Sequence, residues 1–294
     1  MIEVKGLNVQ YRDKKVLTDL SVIFPTGSIT GLVAPNGTGK STLLNTLMNY
    51  VQPSSGTLTF GEDKITYRSV KNEPKIHQLI SLMPDQSDLY DYLSGLEHLT
   101  MYQKMWSETS LDPQLIIEKL HMSGYVKKKV AQYSLGMRQR LCFAMQLVAN
   151  TRYMLMDEVM NGLDPTNVEL ISQMLLEKRG EGKTILLASH LLENLEKYSD
   201  TILFLRDGDF IYRQEKETVQ EQVLLFPKLT PGLQRWQKET QLDLILIPNG
   251  KVYLPLTEPS ATITVLLDSL LAQGITDFSL GHLPLADRYS LYYE

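Results

Sequence analysis

Residues 28–49 constrain this chain most. A short apolar stretch, 28–33, runs into Ala34-Pro35-Asn36-Gly37-Thr38-Gly39-Lys40-Ser41-Thr42, and Leu43, Leu44, Leu47 and Met48 then recur at helical spacing. The order is strand, glycine turn, helix. Gly37 and Gly39 let backbone N–H groups turn inward, and the following helix points its positive N-terminus at the same place. Lys40 adds a cation and Ser41 a hydroxyl. Together these groups make an anion site.

The pattern G-x-x-x-x-G-K-[ST] describes loops that cradle the phosphates of a nucleoside triphosphate. Here Ala34 stands in place of the first glycine. Alanine is tolerated there if its φ is negative. In this reading the 36–42 loop wraps the phosphates, Lys40 reaches the β- and γ-phosphates, and Ser41 offers its hydroxyl to Mg²⁺. Further on, Tyr153-Met154-Leu155-Met156 is an apolar strand ending in Asp157-Glu158. Asp157 is expected beside the Mg²⁺, and Glu158 to take a proton from an attacking water. Two solvated acids capping a strand would be the ordinary alternative, but the preceding phosphate loop weighs against it.

The remaining pattern fits an α/β chain. Strands are expected at 2–11, 17–24, 56–60 and 79–83, then at 153–156, 184–188 and 201–206, with helices at 166–179 and 191–198 between the last three. Strands alternating with helices argue for a parallel sheet covered on both faces. Residues 95–149 read as a helical insertion, one of its helices opened by Asp112-Pro113. Asp207-Gly208 signals a hairpin, and the charged, glutamine-rich 214–222 a linker helix. Beyond it, 242–247, an Asn249-Gly250 turn and 252–256 read as a hairpin, 261–273 as a helix and 275–280 as a strand.

Between the two phosphate-site segments lies Tyr133-Ser134-Leu135-Gly136-Met137-Arg138-Gln139-Arg140. It resembles the L-S-G-G-Q signature, with its Q-R tail, of ATP-binding-cassette (ABC) ATPases. Other elements follow in that family's order: Tyr11 resembles the aromatic that stacks on adenine, and Pro84-Asp85-Gln86 falls at the Q-loop. Gly162-Leu163-Asp164-Pro165 resembles the D-loop, and Ala188-Ser189-His190 the switch histidine segment. The resemblance covers about residues 1–213. It implies a P-loop NTPase with a RecA-like core sheet and a helical subdomain at about 88–150. The hairpin, helix and strand read beyond 213 make 214–294 a small C-terminal α+β domain, expected to serve dimerisation or regulation. The resemblance implies that Asp85 or Gln86 serves catalysis and the metal, and that His190 contacts the γ-phosphate. Two cassettes pair head to tail in that family, so Ser134, Gly136 and Asp164 would meet nucleotide across the dimer. Leu135 and Met137 depart from the usual Gly and Gln, Val159-Met160 from Pro-Thr, and the Q-loop glutamine comes one residue late.

Composition limits the partners. The net charge is −5, with 29 Lys and Arg against 34 Asp and Glu, so no nucleic-acid partner is expected. From 215 to 294 the count is six against ten, which makes the C-terminal segment the acidic part. The single cysteine, Cys142, sits in an apolar helix and reads as core. The five histidines show no ligand spacing, so no zinc site is expected. No secretory signal or apolar run of membrane-span length is legible, and a cytoplasmic chain is expected. One cassette without its own span implies an integral membrane permease, and a second copy or a paralogous ATPase as partner. The tail Leu283-Pro284-Leu285-Ala286-Asp287-Arg288-Tyr289 is similar to that of ABC-2 type exporters, including antibiotic and antimicrobial-peptide systems. The expected function is an ATP-hydrolysing subunit at the cytoplasmic face of the membrane. A soluble ABC ATPase acting on ribosomes or nucleic acid, and a non-hydrolysing regulator, remain as alternatives.

Overall fold

The computed structural model describes residues 1–12, 14–62, 65–67, 72–218, 220–256 and 260–294, with 260–262 by backbone alone. These fall into two compact units, Met1–Lys216 and Glu217–Glu294.

The first unit begins with β1 (Ile2–Tyr11), β2 (Lys14–Phe24), β3 (Ile29–Val33), α1 (Lys40–Leu47) and β4 (Ser55–Phe60). Strands β1, β2 and β4 form an antiparallel sheet in the order β2-β1-β4. Ile2 and Val4, then Leu7 and Val9, face inward; the register shifts between Val4 and Leu7, which keeps both apolar pairs on the buried face. There follow α2 (Glu73–Leu79), β5 (Ile80–Leu82), α3 (Gly95–Met105), α4 (Pro113–Lys119) and α5 (Leu135–Ala149). The unit closes with β6 (Tyr153–Asp157), α6 (Pro165–Gly180), β7 (Thr184–Ala188), α7 (Leu192–Tyr198), β8 (Thr201–Arg206) and β9 (Asp209–Glu215).

Six of these strands make a second sheet, β5-β6-β7-β3-β8-β9. Its pairs are parallel except β8 with β9. All of β3 and β7 is buried, as are the first four residues of β6. That is the apolar run expected of a parallel sheet covered on both faces. One core cluster joins Leu32, Leu155 and Leu186 of this sheet to Leu43, Leu44 and Leu47 of α1 and to Ile2, Leu7 and Phe24 of the antiparallel sheet. Helix α1 is thereby fixed at the exit of β3.

Among the described residues of 95–149 there is no strand, and a side chain caps the start of each α-helix. Ser94 and Glu97 form a reciprocal capping box at α3. Asp112 accepts from Gln114 N with Pro113 in the first turn of α4, and Ser134 accepts from Met137 N at α5. Most of α5, Cys142 included, is buried.

The second unit comprises β10 (Gln222–Phe226), α8 (Pro231–Thr240), β11 (Ile245–Leu246), β12 (Val252–Leu256), α9 (Ser260–Ala272), β13 (Ser279–His282) and α10 (Leu285–Tyr293). Its sheet is antiparallel in the order β11-β12-β10-β13. Trp236 is fully buried among Leu224, Phe226, Leu254 and Leu270, and its indole N–H donates to Ser269 Oγ at 2.8 Å.

Several local expectations need correction. The described residues of 214–222 form no linker helix. Gln214 and Glu215 pair with Ile202 and Thr201 to end β9, Thr201 Oγ1 donates to Glu215 at 3.0 Å, and β10 starts at Gln222. Tertiary pairing overrides the helical propensity of Gln, Glu and Lys there. The strand expected at 242–247 is only two residues long, and that at 275–280 lies instead at Ser279–His282. Helix α2 is additional: it buries only Ile76, too little for a periodic apolar signal.

Candidate active site

The loop after β3 takes the form its sequence dictates. Gly37 and Gly39 have φ of +79° and +116°, a region closed to most side chains, and α1 follows at once. Ala34 is not among the residues of positive φ, so its methyl carries no strain; it is fully buried in the core. Thr38 Oγ1 donates to Pro35 O at 2.8 Å and closes the turn. The Lys40 ammonium folds back on this loop and donates to the Ala34 and Pro35 carbonyls. Burial lowers its pKa, and the nearby carboxylates of Asp157 and Glu158 oppose that effect.

The strand order brings the other half of the site. Strand β7 lies between β3 and β6, so the ends of all three open on one side of the sheet. Asp157, the last residue of β6, accepts from Ser41 Oγ at 3.0 Å. Glu158 follows with φ +52°, its backbone N–H donating to Ala188 O at 2.8 Å. Its carboxylate lies 3.1 Å from His190 Nε2 and accepts from the His190 backbone N–H at 3.4 Å. The same Nε2 hydrogen-bonds Asn36 Oδ1 at 3.1 Å, so the ring is tied to the loop and lies beside the carboxylate. Burial pushes the Glu158 carboxyl above the usual glutamate range. Asp157 adds to this, while His190 and Lys40 oppose it.

These groups line one cleft of about 470 Å³, bounded by Tyr11, Asn36, Gly37, Lys40, Ser41, Thr42, Asp157, Glu158 and His190 among others. Tyr11, at the cleft edge, is 48% exposed. Gly39 also lines the cleft, and so do Lys14, Val16 and Asn161, which sequence reasoning did not single out. Asn161 precedes the Gly-Leu-Asp-Pro segment. Lys14 and Val16 carry no local signal, because only the pairing of β1 with β2 puts them there.

An adjoining cavity of about 380 Å³ shares Ser41, Asp157, Glu158 and Asn161 and adds Asp85, Gln86, Asp88 and Gln139. Neither Asp85 nor Gln86 faces the phosphate loop freely. The Asp85 carboxylate caps the turn 86–88, accepting from Ser87 N at 2.8 Å and Ser87 Oγ at 2.6 Å, and these bonds lower its pKa. The Gln86 amide donates to Gln139 Oε1. Ser134, Gly136 and Asp164 line neither cavity. Ser134 caps α5, and Asp164 caps α6 by accepting from Asn167 N at 3.0 Å.

The arrangement matches known proteins. A family model described as ABC transporter matches residues 17–161. The lantibiotic transport ATP-binding protein SrtF of Streptococcus pyogenes is 30% identical over 217 residues, 73% of this chain and 91% of that one. The uncharacterized ABC transporter ATP-binding protein YcbN of Bacillus subtilis is 31% identical over 258 residues, 85% and 83% of the two chains. Among solved structures, the fold is that of a dimeric bacterial ABC transporter cassette, with a TM-score of 0.66 at 23% identity over 74% of this chain and all of that one. A post-hydrolysis cassette bound to ADP and Pi gives the same TM-score at 22% identity and the same coverage. A phosphate loop, a strand-end Asp-Glu pair and a histidine around one cleft, in a chain this similar to SrtF and YcbN over most of their length, place the protein among the ABC transporter ATP-binding subunits, as an ATPase linked to transport.

Proposed function

We propose that this chain is the motor of an exporter, acting as a head-to-tail pair on an integral membrane permease at the cytoplasmic face. The observation that carries the reading is the division of the site residues. Lys40, Ser41, Asp157, Glu158 and His190 surround one cleft, whereas Ser134, Gly136 and Asp164 line none of it. A cleft furnished on one side is completed by the signature of a second cassette, either another copy or a paralogue. The dimeric cassette structures support this, and so does the lantibiotic transport role in SrtF's name for the exporter direction.

In this reading the adenine of ATP stacks on Tyr11, and the loop 36–42 wraps the phosphates with its backbone N–H groups. The Lys40 ammonium exchanges the Ala34 and Pro35 carbonyls for β- and γ-phosphate oxygens. The adjacent hydroxyl of Ser41 and carboxylate of Asp157 are hard oxygen donors that fit Mg²⁺, which when bound neutralises charge on the phosphates. Glu158 takes a proton from water as its oxygen bonds the γ-phosphorus; the bond to the bridging oxygen breaks, and ADP and phosphate leave. His190, already between Glu158 and Asn36, orients that carboxylate.

Closure around ATP moves the helical segment of α3–α5 with the stretch that leads into it, where Tyr90 and Tyr92 stand exposed beside each other, and so moves the permease. The acidic second unit stabilises or regulates the pair. Size-exclusion chromatography of Glu158→Gln with ATP and Mg²⁺ tests the scheme: the expected result is a dimer that the parent chain shows only transiently. A monomer under those conditions, or co-purification with ribosomes in place of a multi-span membrane protein, would overturn it.

A further inference from the structure

We propose that Gln139 is a positioning residue for hydrolysis, which ties the backbone of Glu158 to the signature helix and to the Gln86 turn. The inference rests on the reading of Glu158 as the base. Gln139 lies one turn into α5 and is 4% exposed. Its Nε2 donates to Glu158 O at 2.9 Å and to Val159 O at 2.8 Å, so both amide hydrogens are used. Its Oε1 accepts from the Gln86 amide. A buried primary amide bonded this fully has one available orientation.

What it holds is a strained residue. Glu158 has φ +52°, a left-handed conformation that a non-glycine residue keeps only when its surroundings impose it. Ala188 O holds its N–H from the β7 side, and Gln139 holds its carbonyl and the next from the α5 side. The carboxylate direction follows from the backbone these bonds fix. Any displacement of α5, which Ser134 heads, therefore reaches Glu158 through one hydrogen-bonded step, and of the turn at Gln86 through two. Neither Gln139 nor its amide lines the phosphate cleft, so it does not touch the nucleotide there.

The test uses the full chain with Gln139→Met, which keeps the volume and removes the amide, and Gln139→Asn, which keeps the amide but shortens it by one methylene. Steady-state ATPase and binding of a fluorescent N-methylanthraniloyl ATP are measured on both, with Glu158→Gln alongside. The expected result is a kcat at least tenfold lower, with nucleotide affinity and KM for ATP within threefold of the parent. If Gln139→Met does not fold, Gln139→Asn carries the same expectation. A kcat within twofold of the parent in a folded variant overturns the proposal. So does a parallel loss of kcat and nucleotide affinity, which marks a merely structural residue. Full activity of Glu158→Gln would instead remove the reading of Glu158 as base, a failure distinct from that of Gln139.

Discussion

Ser41 and Asp157 lie 116 residues apart in sequence and meet at 3.0 Å, hydroxyl to carboxylate, across the width of strand β7. The hydroxyl begins a helix, and the carboxylate ends a strand that the sheet holds in register with Ala188. Two oxygens set this way need little reorganisation to share a hard divalent cation. Asp157→Asn removes the charge and leaves the fold. It is expected to raise the Mg²⁺ concentration for half-maximal ATPase about tenfold or more, equivalent to about 1.4 kcal/mol. Ser41→Ala is expected to shift it in the same direction by less. A Mg²⁺ titration of activity at saturating ATP reads both, and an unchanged midpoint in Asp157→Asn would count against the assignment.

Glu158 gives a prediction in pH. Its carboxyl titrates above the ordinary glutamate range, mainly through burial, with Asp157 acting in the same sense and His190 and Lys40 against it. Only the ionised form accepts a proton, so kcat should fall as pH drops through that raised value, earlier than an exposed glutamate would allow. Glu158→Gln should lose about 10²–10⁴-fold in rate while still binding ATP. Linkage sets a second sign. A folded pKa above the unfolded one means that the native state binds this proton more tightly, so its contribution to stability declines as pH rises from the unfolded value through the folded one. Glu158→Gln should therefore melt higher than the parent at neutral pH, with the gap closing in acid; thermal melts at several pH values decide this.

The conformation of the loop at 34–42 was legible in sequence because the backbone sets it. Gly37, Gly39 and Lys40 dictate the conformation whatever surrounds them, and Ala34 fits because its position needs no positive φ. The Asp157-Glu158 pair was legible once that loop was seen, since both end strands of one parallel sheet. Lys14 and Val16 were not, because only strand register places them, and Gln139 was read only as part of the signature's Q-R tail, because helix packing alone sets it against Glu158. The misread segment at 214–222 shows the same limit from the other side: its residues favour helix alone, yet the β8 edge takes Gln214 and Glu215 into strand and Gln222 opens β10.

A glycine pair tests the antiparallel sheet. A Cβ on Gly56 would lie 2.5 Å from Gly6 O and 2.6 Å from Leu7 Cα, both backbone atoms that cannot step aside, and its φ is +99°. Gly124 has nothing within 4 Å of such a Cβ. Gly56→Ala is expected to destabilise the first unit by about 3 kcal/mol, from overlap and backbone strain together. Gly124→Ala should stay within about 0.5 kcal/mol of the parent. Urea denaturation followed by circular dichroism separates them, and equal midpoints would show that β1 and β4 are not paired at this crossing.

In the second unit, Asp287 is 1% exposed, yet Lys251 Nζ donates to its two oxygens at 2.9 and 3.0 Å and Asn249 Nδ2 to one of them at 2.8 Å. The carboxylate thus locks the Asn249-Gly250 turn onto α10. The two partners are not equivalent, because the Lys251 side chain is 40% exposed and can return to water. Lys251→Met leaves a buried carboxylate with Asn249 as its remaining side-chain donor on that turn, and uncompensated buried charges cost about 3–5 kcal/mol. The exposed side of the pair and the surviving amide place the expected loss near the lower end. Asp287→Asn leaves no buried charge and lets Lys251 rehydrate, so it should cost less, about 1–2 kcal/mol for the weakened hydrogen bonds. With Trp106 of the first unit replaced by Phe, Trp236, fully buried in this unit, reports its unfolding by fluorescence in the full-length chain. If Asp287→Asn proved the more damaging of the two, the turn would be held by the carboxylate's geometry and not by its neutralisation.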